Sequence, residues 1–440
     1  MMHKLSRRQF LITSGLTATT TVLVHGCGNP TTSGGNNPQP GPVASTETPE
    51  VTTAKLGFIA LTDAAPVIIA KEKDFFAKYG MPDVQVVKQA SWGVTRDNLV
   101  LGSEGGGIDG AHILTPMPYL ISAGVVTGGK KVPIYILARL NLNGQGIGIA
   151  NAYRDLRVGI DAKPLKAAFA KKRAQGQEVK VAVTFPGGTH DMWMRYWLAA
   201  AGIDPTKEVS VIVVPPPQMV ANVKTGTMEA FCVGEPWPLQ AVNQKVAYNA
   251  ATTGELWKNH PEKSLAMRAD WVDKHPKAAK ALLMAVMEAQ QWCDQDENKE
   301  EMCRILAKRD WLKAPYEDII DRSLGKFDLG NGRTFASKDL MMKYWRDFAS
   351  YPFPSHELWF LTENIRWGYF PADTDTKALI KAVNREDLWR EAAKALGVPN
   401  DQIPPSTSRG VETFFDGVAF DPDNPKGYLQ ALKIKAVKEA

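Results

Sequence analysis

Cysteine is scarce in this sequence, which excludes a fold built on disulfides. The 440 residues include four cysteines, and none of them forms a C-x-x-C pair. Three of them, Cys232, Cys293 and Cys303, lie in the body of the chain. Cys293 and Cys303 could pair only if two helices brought them together, so we expect free, buried thiols at all three positions.

Excess charge of one sign and the common catalytic signatures are also missing. The chain carries 52 basic and 47 acidic residues without a dense lysine–arginine block, which argues against nucleic-acid binding. No G-x-x-x-x-G-K-[ST], H-E-x-x-H or G-x-S-x-G pattern is present, which argues against an ATPase, a zinc protease and a serine hydrolase. Residues 105–110, GGGIDG, match G-x-G-x-x-G, but a helix is predicted before them and an extended segment after them. That order is the reverse of the order in dinucleotide-binding folds.

Long hydrophobic runs are absent, and the amino terminus has the features of an export signal. The Arg-Arg pair in SRRQFL (6–11) resembles a twin-arginine signal, and the apolar run after it is too short and too polar for a membrane span. VHGC (24–27) resembles a lipobox with Cys27 as the first mature residue. We therefore expect a signal peptide at 1–26 and acylation of Cys27; the alternative is a cleaved signal with an incidental cysteine.

Residues 27–50 are predicted to be the lipidated cysteine followed by a flexible tether. Positions 28–50 contain almost no apolar residues, and such a segment cannot offset the entropy of ordering by burial. Several acyl chains on Cys27 would form a stable anchor. The globular part of the chain is therefore expected to work beside a membrane.

Alternating apolar strands and amphipathic helices predict an α/β fold. Strands are predicted at 54–61, 83–89, 131–140, 180–185 and 208–215, and helices at 65–80 and 192–202. This order is typical of largely parallel sheets with helices on their faces. From about residue 262 onward the sequence predicts long helices, one of which begins at Pro276.

The stretch TFPGGTHDMW (184–193) has the pattern of an anion site. An apolar strand ends there, a Pro-Gly-Gly turn follows, and a helix begins near Thr189 and His190. Ligands of open α/β sheets bind beyond the carboxyl ends of the strands, and the unpaired N–H groups of a helix N-terminus attract anions. Thr189 is the predicted helix cap, and the His190 ring could donate to an oxyanion. The alternative for His190 is a structural role in the loop.

Two further glycine-flanked positions have the same character. Gln145 stands between glycines in NLNGQGIGIA (141–150), and Gly234 ends an apolar strand in FCVGEPWP (231–238). A glutamine amide can donate hydrogen bonds where the backbone passes closely. Ordinary turns would explain both segments equally from the residues alone.

Several segments together resemble the periplasmic solute-binding proteins of the nitrate, sulfonate and thiamine-precursor type. They are APVIIAKEKDFFAKYG, KQASWG, DNLVLGS, GEPWP and MRADWV. Others, among them LGFIALTDAAP, TFPGGTHDMW, WFLTENIRWGY and SRGVETFFDG, are similar to the nitrate/nitrite-binding lipoproteins of cyanobacterial ABC importers, which are related to bicarbonate-binding lipoproteins. The resemblance covers roughly residues 52–440.

The resemblance implies a type II periplasmic binding protein fold. Two α/β lobes would be joined by a hinge, with the ligand in the cleft between them. Lobe I would comprise residues 51–145 and 239–440, and lobe II residues 146–238. The two hinge crossings would then fall near Gln145 and Gly234.

The same resemblance implies a nitrate site of five residues. They are the tryptophan of ASWG, the glutamine of NGQG, the histidine of GGTHD, the glycine of CVGEP and the lysine of HPEK: Trp92, Gln145, His190, Gly234 and Lys263. Bicarbonate-binding relatives carry glutamate at the position of Lys263, and their binding is linked to a metal cation. Nitrate only accepts hydrogen bonds, so an ammonium suits it, whereas bicarbonate must also donate one. From the residues alone, Lys263 would be read as a surface lysine.

We therefore expect a high-affinity receptor for nitrate and nitrite that delivers its ligand to an ABC permease and its ATPase subunits. It would stand on the periplasmic face of the plasma membrane, anchored through Cys27. No catalysis, cofactor or resident metal is expected. The alternatives are a receptor for bicarbonate or another oxyanion, a sensor that signals to a membrane partner, and an enzyme on the same fold with His190 as a reactant. The export signal argues against the enzyme.

Overall fold

The computed structural model describes residues 47–434, in which two five-stranded sheets carry the main framework. The strands are β1 (Lys55–Phe58), β2 (Gln85–Lys88), β3 (Gly110–Leu114), β4 (Ile134–Arg139), β5 (Gln145–Ala150), β6 (Lys180–Val183), β7 (Ser210–Val213), β8 (Ala230–Gly234), β9 (Ala247–Thr252), β10 (Lys263–Arg268), β11 (Lys326–Asp328), β12 (Thr334–Ala336), β13 (Glu412–Thr413) and β14 (Ala419–Phe420). The signal peptide, Cys27 and the tether as far as residue 46 lie outside the described residues.

The helices alternate with the strands up to β9 and dominate after β10. They are α1 (Ala65–Glu72), α2 (Phe75–Lys78), α3 (Trp92–Leu101), α4 (Met117–Ser122), α5 (Lys163–Ala174), α6 (Thr189–Ala200), α7 (Met219–Lys224), α8 (Trp237–Asn243), α9 (Thr253–Leu256), α10 (Ala269–Lys274), α11 (Pro276–Asp294), α12 (Lys299–Ala307), α13 (Ile320–Ser323), α14 (Pro354–Arg366), α15 (Thr376–Val383), α16 (Glu386–Ala395) and α17 (Pro425–Ala431). As predicted, α3 precedes the GGGIDG segment and β3 follows it, so this segment does not have the order of a dinucleotide-binding turn.

The two sheets share one topology. The first has the strand order β2-β1-β3-β10-β4 and the second the order β7-β6-β8-β5-β9. β1 is parallel to its neighbours, and so is β6, but β10 and β5 are antiparallel to theirs. Four of the five strands in each sheet therefore run in one direction, as predicted, and the exceptions are β10 and β5. β5 and β10 are the strands that the chain enters after it crosses from the other sheet, and each arrives against the direction of its neighbours.

Three strands of the two five-stranded sheets, β5, β9 and β10, are missing from the sequence prediction, as are the short strands β11 to β14. β5 (QGIGIA) and β9 (AYNAAT) are rich in glycine, alanine and asparagine, which have low strand propensity. β10 (KSLAMR) begins with a lysine and is too short to show a period, so it was not separated from the helices that follow. Pairing with neighbouring strands, rather than the local sequence, holds these segments extended: β5 and β10 are paired on both sides, and the edge strand β9 is paired with β5.

Two predicted helices differ from the structure in detail. The helix at 65–80 is interrupted, because α1 ends at Glu72 and Asp74 adopts a left-handed conformation with φ 57° before α2. The apolar run predicted as a helix at 192–202 lies in α6, which begins at Thr189, near the start predicted from the glycine loop, and ends at Ala200. The helix predicted to begin at Pro276 does begin there.

The second crossing between the sheets differs from the predicted position. The chain crosses first between β4 and β5 and again between β9 and β10. The predicted boundary at residue 238 leaves β9 outside lobe II, although Ala247–Thr252 pairs with β5 of the second sheet. After β8, α8 turns the chain back onto the same sheet, so the return to the first sheet follows Thr252.

Helix α14 links the first sheet to helix α6, which packs on the second sheet. Its Glu357 forms a buried ion pair with Arg139 of β4. Its Trp359 stacks on Trp193 of α6 with 5.1 Å between ring centroids. This helix therefore holds α6, and with it the glycine loop before α6, against the first sheet.

One continuous apolar core runs through both sheets, and a small second cluster surrounds Phe327. Cys232, Cys293 and Cys303 are buried and free, as predicted. Between residues 47 and 434, no helix has both the length and the apolar character needed to cross a membrane.

Candidate functional site

The five residues assigned to ligand binding lie in one buried cluster between the two sheets. Gln145, His190 and Gly234 come from the second sheet and its helix α6, whereas Trp92 and Lys263 come from the first sheet and its helix α3. All five are buried. A ligand bound among them would therefore be contacted from both sheets.

Gln145 and Gly234 meet through strand register. Gln145 begins β5 and pairs with Gly234, the last residue of β8. A Cβ atom at Gly234 would lie 2.8 Å from Oε1 of Gln145 and 3.0 Å from Leu61. Only glycine leaves this approach free, which explains why a glycine ends β8.

His190 is the second residue of α6 and faces Gln145. Its Nε2 lies 2.5 Å from Oε1 of Gln145, and its Nδ1 lies 2.5 Å from Oγ1 of Thr184. The loop before it depends on Gly187, which has φ 72° and whose carbonyl accepts a hydrogen bond from Asn364. The loop and α14 together place the imidazole at the edge of the second sheet.

Lys263 lies at the centre of the cluster. It is the first residue of β10, and its side chain is fully buried. Its Nζ is 2.9 Å from Oδ2 of Asp63 and 2.8 Å from Oε1 of Glu262. The expectation from the residues alone, a surface lysine, is therefore wrong, because the crossing from β9 to β10 carries this side chain into the interior.

Trp92 completes the first-sheet side of the site. It begins α3, whose cap is Ser91, and the Lys263 ammonium lies 5.8 Å from the centre of its ring. The indole N–H of Trp92 is buried and has no hydrogen-bond partner among the described residues. A buried donor without a partner is costly, and it marks a position where an acceptor would be stabilised.

Asp63 connects the two halves of the site, and the sequence analysis did not identify it. Its Oδ2 accepts hydrogen bonds from Lys263 and, at 3.3 Å, from Nε2 of Gln145. Its Oδ1 accepts one from Nε2 of His112 at 2.6 Å. The only signal for it in the sequence is an acidic residue soon after the apolar strand β1, at the carboxyl end where ligands of α/β sheets bind.

These contacts fix the orientation of the donors. A carboxylate can only accept, so Asp63 must face the amide nitrogen of Gln145, which turns Oε1 of Gln145 towards His190. Nε2 of His190 must then carry the proton, and Nδ1 accepts from the Thr184 hydroxyl. The His190 ring is thereby held as a donor through Nε2.

Glu262 is a second carboxylate that the sequence analysis did not identify. It accepts hydrogen bonds from the Thr189 hydroxyl, from Lys263, and from the indole of Trp193 at 3.2 Å. Thr189 was predicted to cap α6, but Gly188 holds the cap position and the Thr189 side chain points to Glu262 instead. Position 262 directly precedes a polar strand, so nothing local in the sequence indicates that it is buried.

The charges of the cluster follow from burial and from these contacts. Burial alone would raise the pKa of Asp63, but Lys263 and His112 outweigh it and hold that pKa below its ordinary value. Burial alone would lower the pKa of Lys263, but Asp63 and Glu262 raise it. Burial lowers the pKa of His190, and Lys263 lowers it further. The site therefore presents an ammonium and a neutral imidazole N–H.

This arrangement can hold a small acceptor anion but offers little for catalysis. The donors are an ammonium, an indole N–H, an amide and an imidazole N–H, and they come from both sheets. Within the described part of the chain, no group of three or more His, Cys, Asp and Glu side chains could hold a metal ion.

Comparison with known proteins agrees with this fold. The NMT1-like family model matches residues 47–307. The nitrate/nitrite binding protein NrtA of Synechocystis is 68% identical over 442 residues, which cover 98% of each chain. The bicarbonate-binding protein CmpA of Synechococcus elongatus is 46% identical over 443 residues, again 98% of each chain. The crystal structure of the periplasmic nitrate-binding protein NrtA from Synechocystis PCC 6803 aligns with a TM-score of 0.87 and 73% identity, over 88% of this chain and all of that one.

These similarities confirm the predicted resemblance and the two-lobed α/β fold of a periplasmic binding protein. They extend over almost the whole chain, and the family model alone matches more than half of it. The chain belongs to the NMT1-like family.

Proposed function

We propose that this protein binds nitrate and nitrite outside the cytoplasm and delivers them to an ABC permease and its ATPase subunits for import. It acts as a receptor and does not transform its ligand. Similarity to NrtA over nearly the whole chain supports this assignment. The observation that carries it is the buried Lys263 ammonium beside the unpartnered indole N–H of Trp92.

The ligand would be held by Trp92, Gln145, His190, Gly234 and Lys263. Nitrate carries one negative charge and only accepts hydrogen bonds, so it matches a set of N–H donors around one ammonium. Gly234 would contribute its backbone and, by lacking a side chain, leave the approach to Gln145 free. Asp63 and Thr184 hold Lys263 and His190 in place. On binding, the Nε2–H of His190 would exchange its hydrogen bond to Gln145 for one to the anion.

Lys263 also supports nitrate over bicarbonate. At an effective dielectric of about 20, a unit charge about 4 Å from the ligand contributes roughly 4 kcal/mol. The glutamate that the resemblance implies at this position in bicarbonate receptors would reverse the sign of that contribution. A bicarbonate or other oxyanion receptor is thus the second candidate, and the similarity to CmpA is the observation that favours it.

Binding would involve closure of two lobes. Lobe I would be built on the first sheet and lobe II on the second, with hinge segments between β4 and β5 and between β9 and β10. In the structure the sheets already touch near the site, where Thr62 N donates to the carbonyl of Glu235 at 2.8 Å. Closure would remove water from around the anion and strengthen each hydrogen bond to it.

The receptor would act at the outer face of the plasma membrane, held there by lipid on Cys27. That position would keep the globular part within reach of the permease. The resemblance of VHGC to a lipobox and of SRRQFL to an export signal supports this proposal.

Calorimetric titration with nitrate, nitrite, and then bicarbonate with calcium tests the assignment. We expect micromolar or tighter nitrate binding, about −8 kcal/mol or better, and no heat from bicarbonate. The nitrate concentration should be unchanged after prolonged incubation, which separates a receptor from an enzyme. Binding of bicarbonate without nitrate would overturn the assigned selectivity.

A further inference from the structure

The site contains more buried negative charge than a simple anion receptor needs. Two carboxylates, Asp63 and Glu262, flank the single Lys263 ammonium at 2.9 Å and 2.8 Å, and all three side chains are fully buried. If both carboxylates are ionised, the three groups already sum to one negative charge. A monovalent anion would raise this to two negative charges in a buried site, which is strongly unfavourable.

The two carboxylates have different surroundings. Asp63 accepts from Lys263, His112 and Gln145, which stabilise its ionised form. Glu262 has Lys263 as its one close cation, and its other hydrogen-bond donors are the neutral Thr189 hydroxyl and Trp193 indole. Burial raises the pKa of Glu262, and Lys263 offsets only part of that rise.

The titratable and charged groups that face Glu262 come from every element around it. Lys263 faces it from β10, His190 from α6 at 3.8 Å, and His260 from the preceding loop at 3.8 Å. Asp63 acts on it from the turn after β1, and Cys232 lies close enough in β8 to be influenced by it. Lys263 is the one group in this set that carries a positive charge, because both histidines are kept neutral.

An anion held by Lys263 and His190 must lie beside Glu262. Oε1 of Glu262 is 2.8 Å from Nζ of Lys263 and 3.8 Å from Nε2 of His190, the two donors that the anion would contact. An ionised Glu262 would repel the anion and compete for both donors. A protonated Glu262 would remove the repulsion and could donate its own O–H to the anion.

We infer that Glu262 determines specificity in this site by taking up one proton from solvent when the monovalent oxyanion binds, so that nitrate enters together with a proton. The inference rests on the proposed function of the site. It also predicts discrimination against divalent oxyanions such as sulfate, because a single proton would not balance a second negative charge.

The coupling between nitrate binding and proton uptake by Glu262 should make the Kd for nitrate depend on pH. Between the pKa of Glu262 in the free protein and its higher pKa in the nitrate complex, each nitrate brings one proton, so Kd rises about tenfold per pH unit. Below the pKa in the free protein the site is already protonated, and Kd is constant. The Glu262→Gln variant imitates the protonated carboxyl and should bind nitrate with a Kd that does not change with pH.

The test is calorimetric titration of the purified protein with nitrate in HEPES and in Tris, which differ in ionisation enthalpy, between pH 6 and 9. For the unaltered protein we expect the binding enthalpy to differ between the buffers by an amount equal to the uptake of up to one proton per nitrate. Glu262→Gln should abolish this difference. Glu357→Gln is the matched control, since Glu357 is equally buried and paired with Arg139, and it should keep the difference.

Each outcome decides between the alternatives. Nitrate binding without a buffer difference or a pH slope in the unaltered protein overturns the coupling alone, and this measurement does not depend on how a variant folds. The role of Glu262 is overturned if the difference in binding enthalpy between the two buffers is undiminished in Glu262→Gln. It is also overturned if that difference is lost in both Glu262→Gln and Glu357→Gln. The absence of nitrate binding in the folded, unaltered protein overturns the proposed function and the coupling together.

Discussion

Lys263 and Asp63 form a fully buried ion pair, with 2.9 Å between Nζ and Oδ2, at the point where the two sheets meet. The lysine comes from the first residue of a strand and the aspartate from a short turn after β1. Because Gln145 of the second sheet donates to the same aspartate, one carboxylate organises donors from both sides of the site. The predictions below depend on this arrangement.

Removing the ammonium should abolish tight anion binding. We expect Lys263→Met to weaken nitrate binding by roughly two to three orders of magnitude, because a unit charge near the ligand is lost. The measurement is the Kd from calorimetric titration at constant ionic strength. Lys343→Met is the matched control, since Lys343 is also buried but pairs with Asp347 outside the site. Equal losses in the two variants would contradict a specific role for Lys263.

A methyl group at position 234 should disturb the site without unfolding the protein. In Gly234→Ala the new Cβ would lie 2.8 Å from Oε1 of Gln145, so the amide must move and with it the hydrogen bond to His190. We expect nitrate binding to weaken by about 1–3 kcal/mol. Gly159→Ala is the control, because nothing lies within 4 Å of a Cβ there. An unchanged Kd for nitrate in Gly234→Ala would show that binding does not depend on the close approach of Gln145 to position 234.

The Asp63 carboxylate should stabilise the fold in a pH-dependent manner. Its pKa in the folded protein lies below the ordinary value of 3.8, so its contribution is fully present above about pH 4 and declines as the pH falls towards the lowered pKa. Asp63→Asn should reduce the free energy of unfolding by about 3–5 kcal/mol at pH 7, because Lys263 loses one of its two buried carboxylate partners. That deficit should shrink below pH 4, as measured by urea unfolding at several pH values.

The control for this prediction is Asp318→Asn. Asp318 is also buried, but its side chain accepts hydrogen bonds from the neutral amides of Gln240 and Asn243. Its substitution should cost less at pH 7. A deficit in Asp63→Asn that stays constant from pH 7 to pH 3 would argue against ionisation of Asp63 as the source of stability.

Substitution of Cys27 tests the proposed lipid anchor. We expect Cys27→Ser to move the protein from the membrane fraction to the soluble extracytoplasmic fraction, because each buried CH₂ of an acyl chain contributes about 0.8 kcal/mol to membrane binding. Membrane fractionation measures where the protein is found, and mass spectrometry of the amino-terminal peptide measures whether residue 27 is acylated. Cys303→Ser should leave the distribution unchanged, and continued membrane association of Cys27→Ser would refute the lipid anchor.

Much of the framework could be predicted from the sequence because its signals are local. The apolar runs at β1, β4 and β6 and the helix from Pro276 are visible as periodicity and as a helix-starting proline. β9 and β10 are not visible, since AYNAAT and KSLAMR adopt strands because of tertiary pairing: β10 lies between β3 and β4, and the edge strand β9 pairs with β5. Because β9 is not visible in the sequence, the predicted return of the chain to the first sheet, after residue 238, comes before the observed return after Thr252.

The residues of the site likewise divide into those that the sequence indicates and those that only the structure reveals. His190 and Gln145 stand out because glycines flank them at strand and helix ends, and the resemblance adds Trp92 and Lys263. Asp63 and Glu262 do not stand out, because an acidic residue is ordinarily solvated and nothing in its neighbours along the chain indicates burial. Their burial results from elements that are distant in sequence.

The sequence by itself determined the α/β class, the glycine loop at the strand–helix junction and the absence of an ATPase, zinc-protease or serine-hydrolase signature. These are properties of short segments, whose backbone preferences and apolar period do not depend on the rest of the chain. Only the tertiary structure decided the charge balance of the site. Asp63, Glu262 and Lys263 influence one another because folding removes the water between them and brings β1 and β10 together.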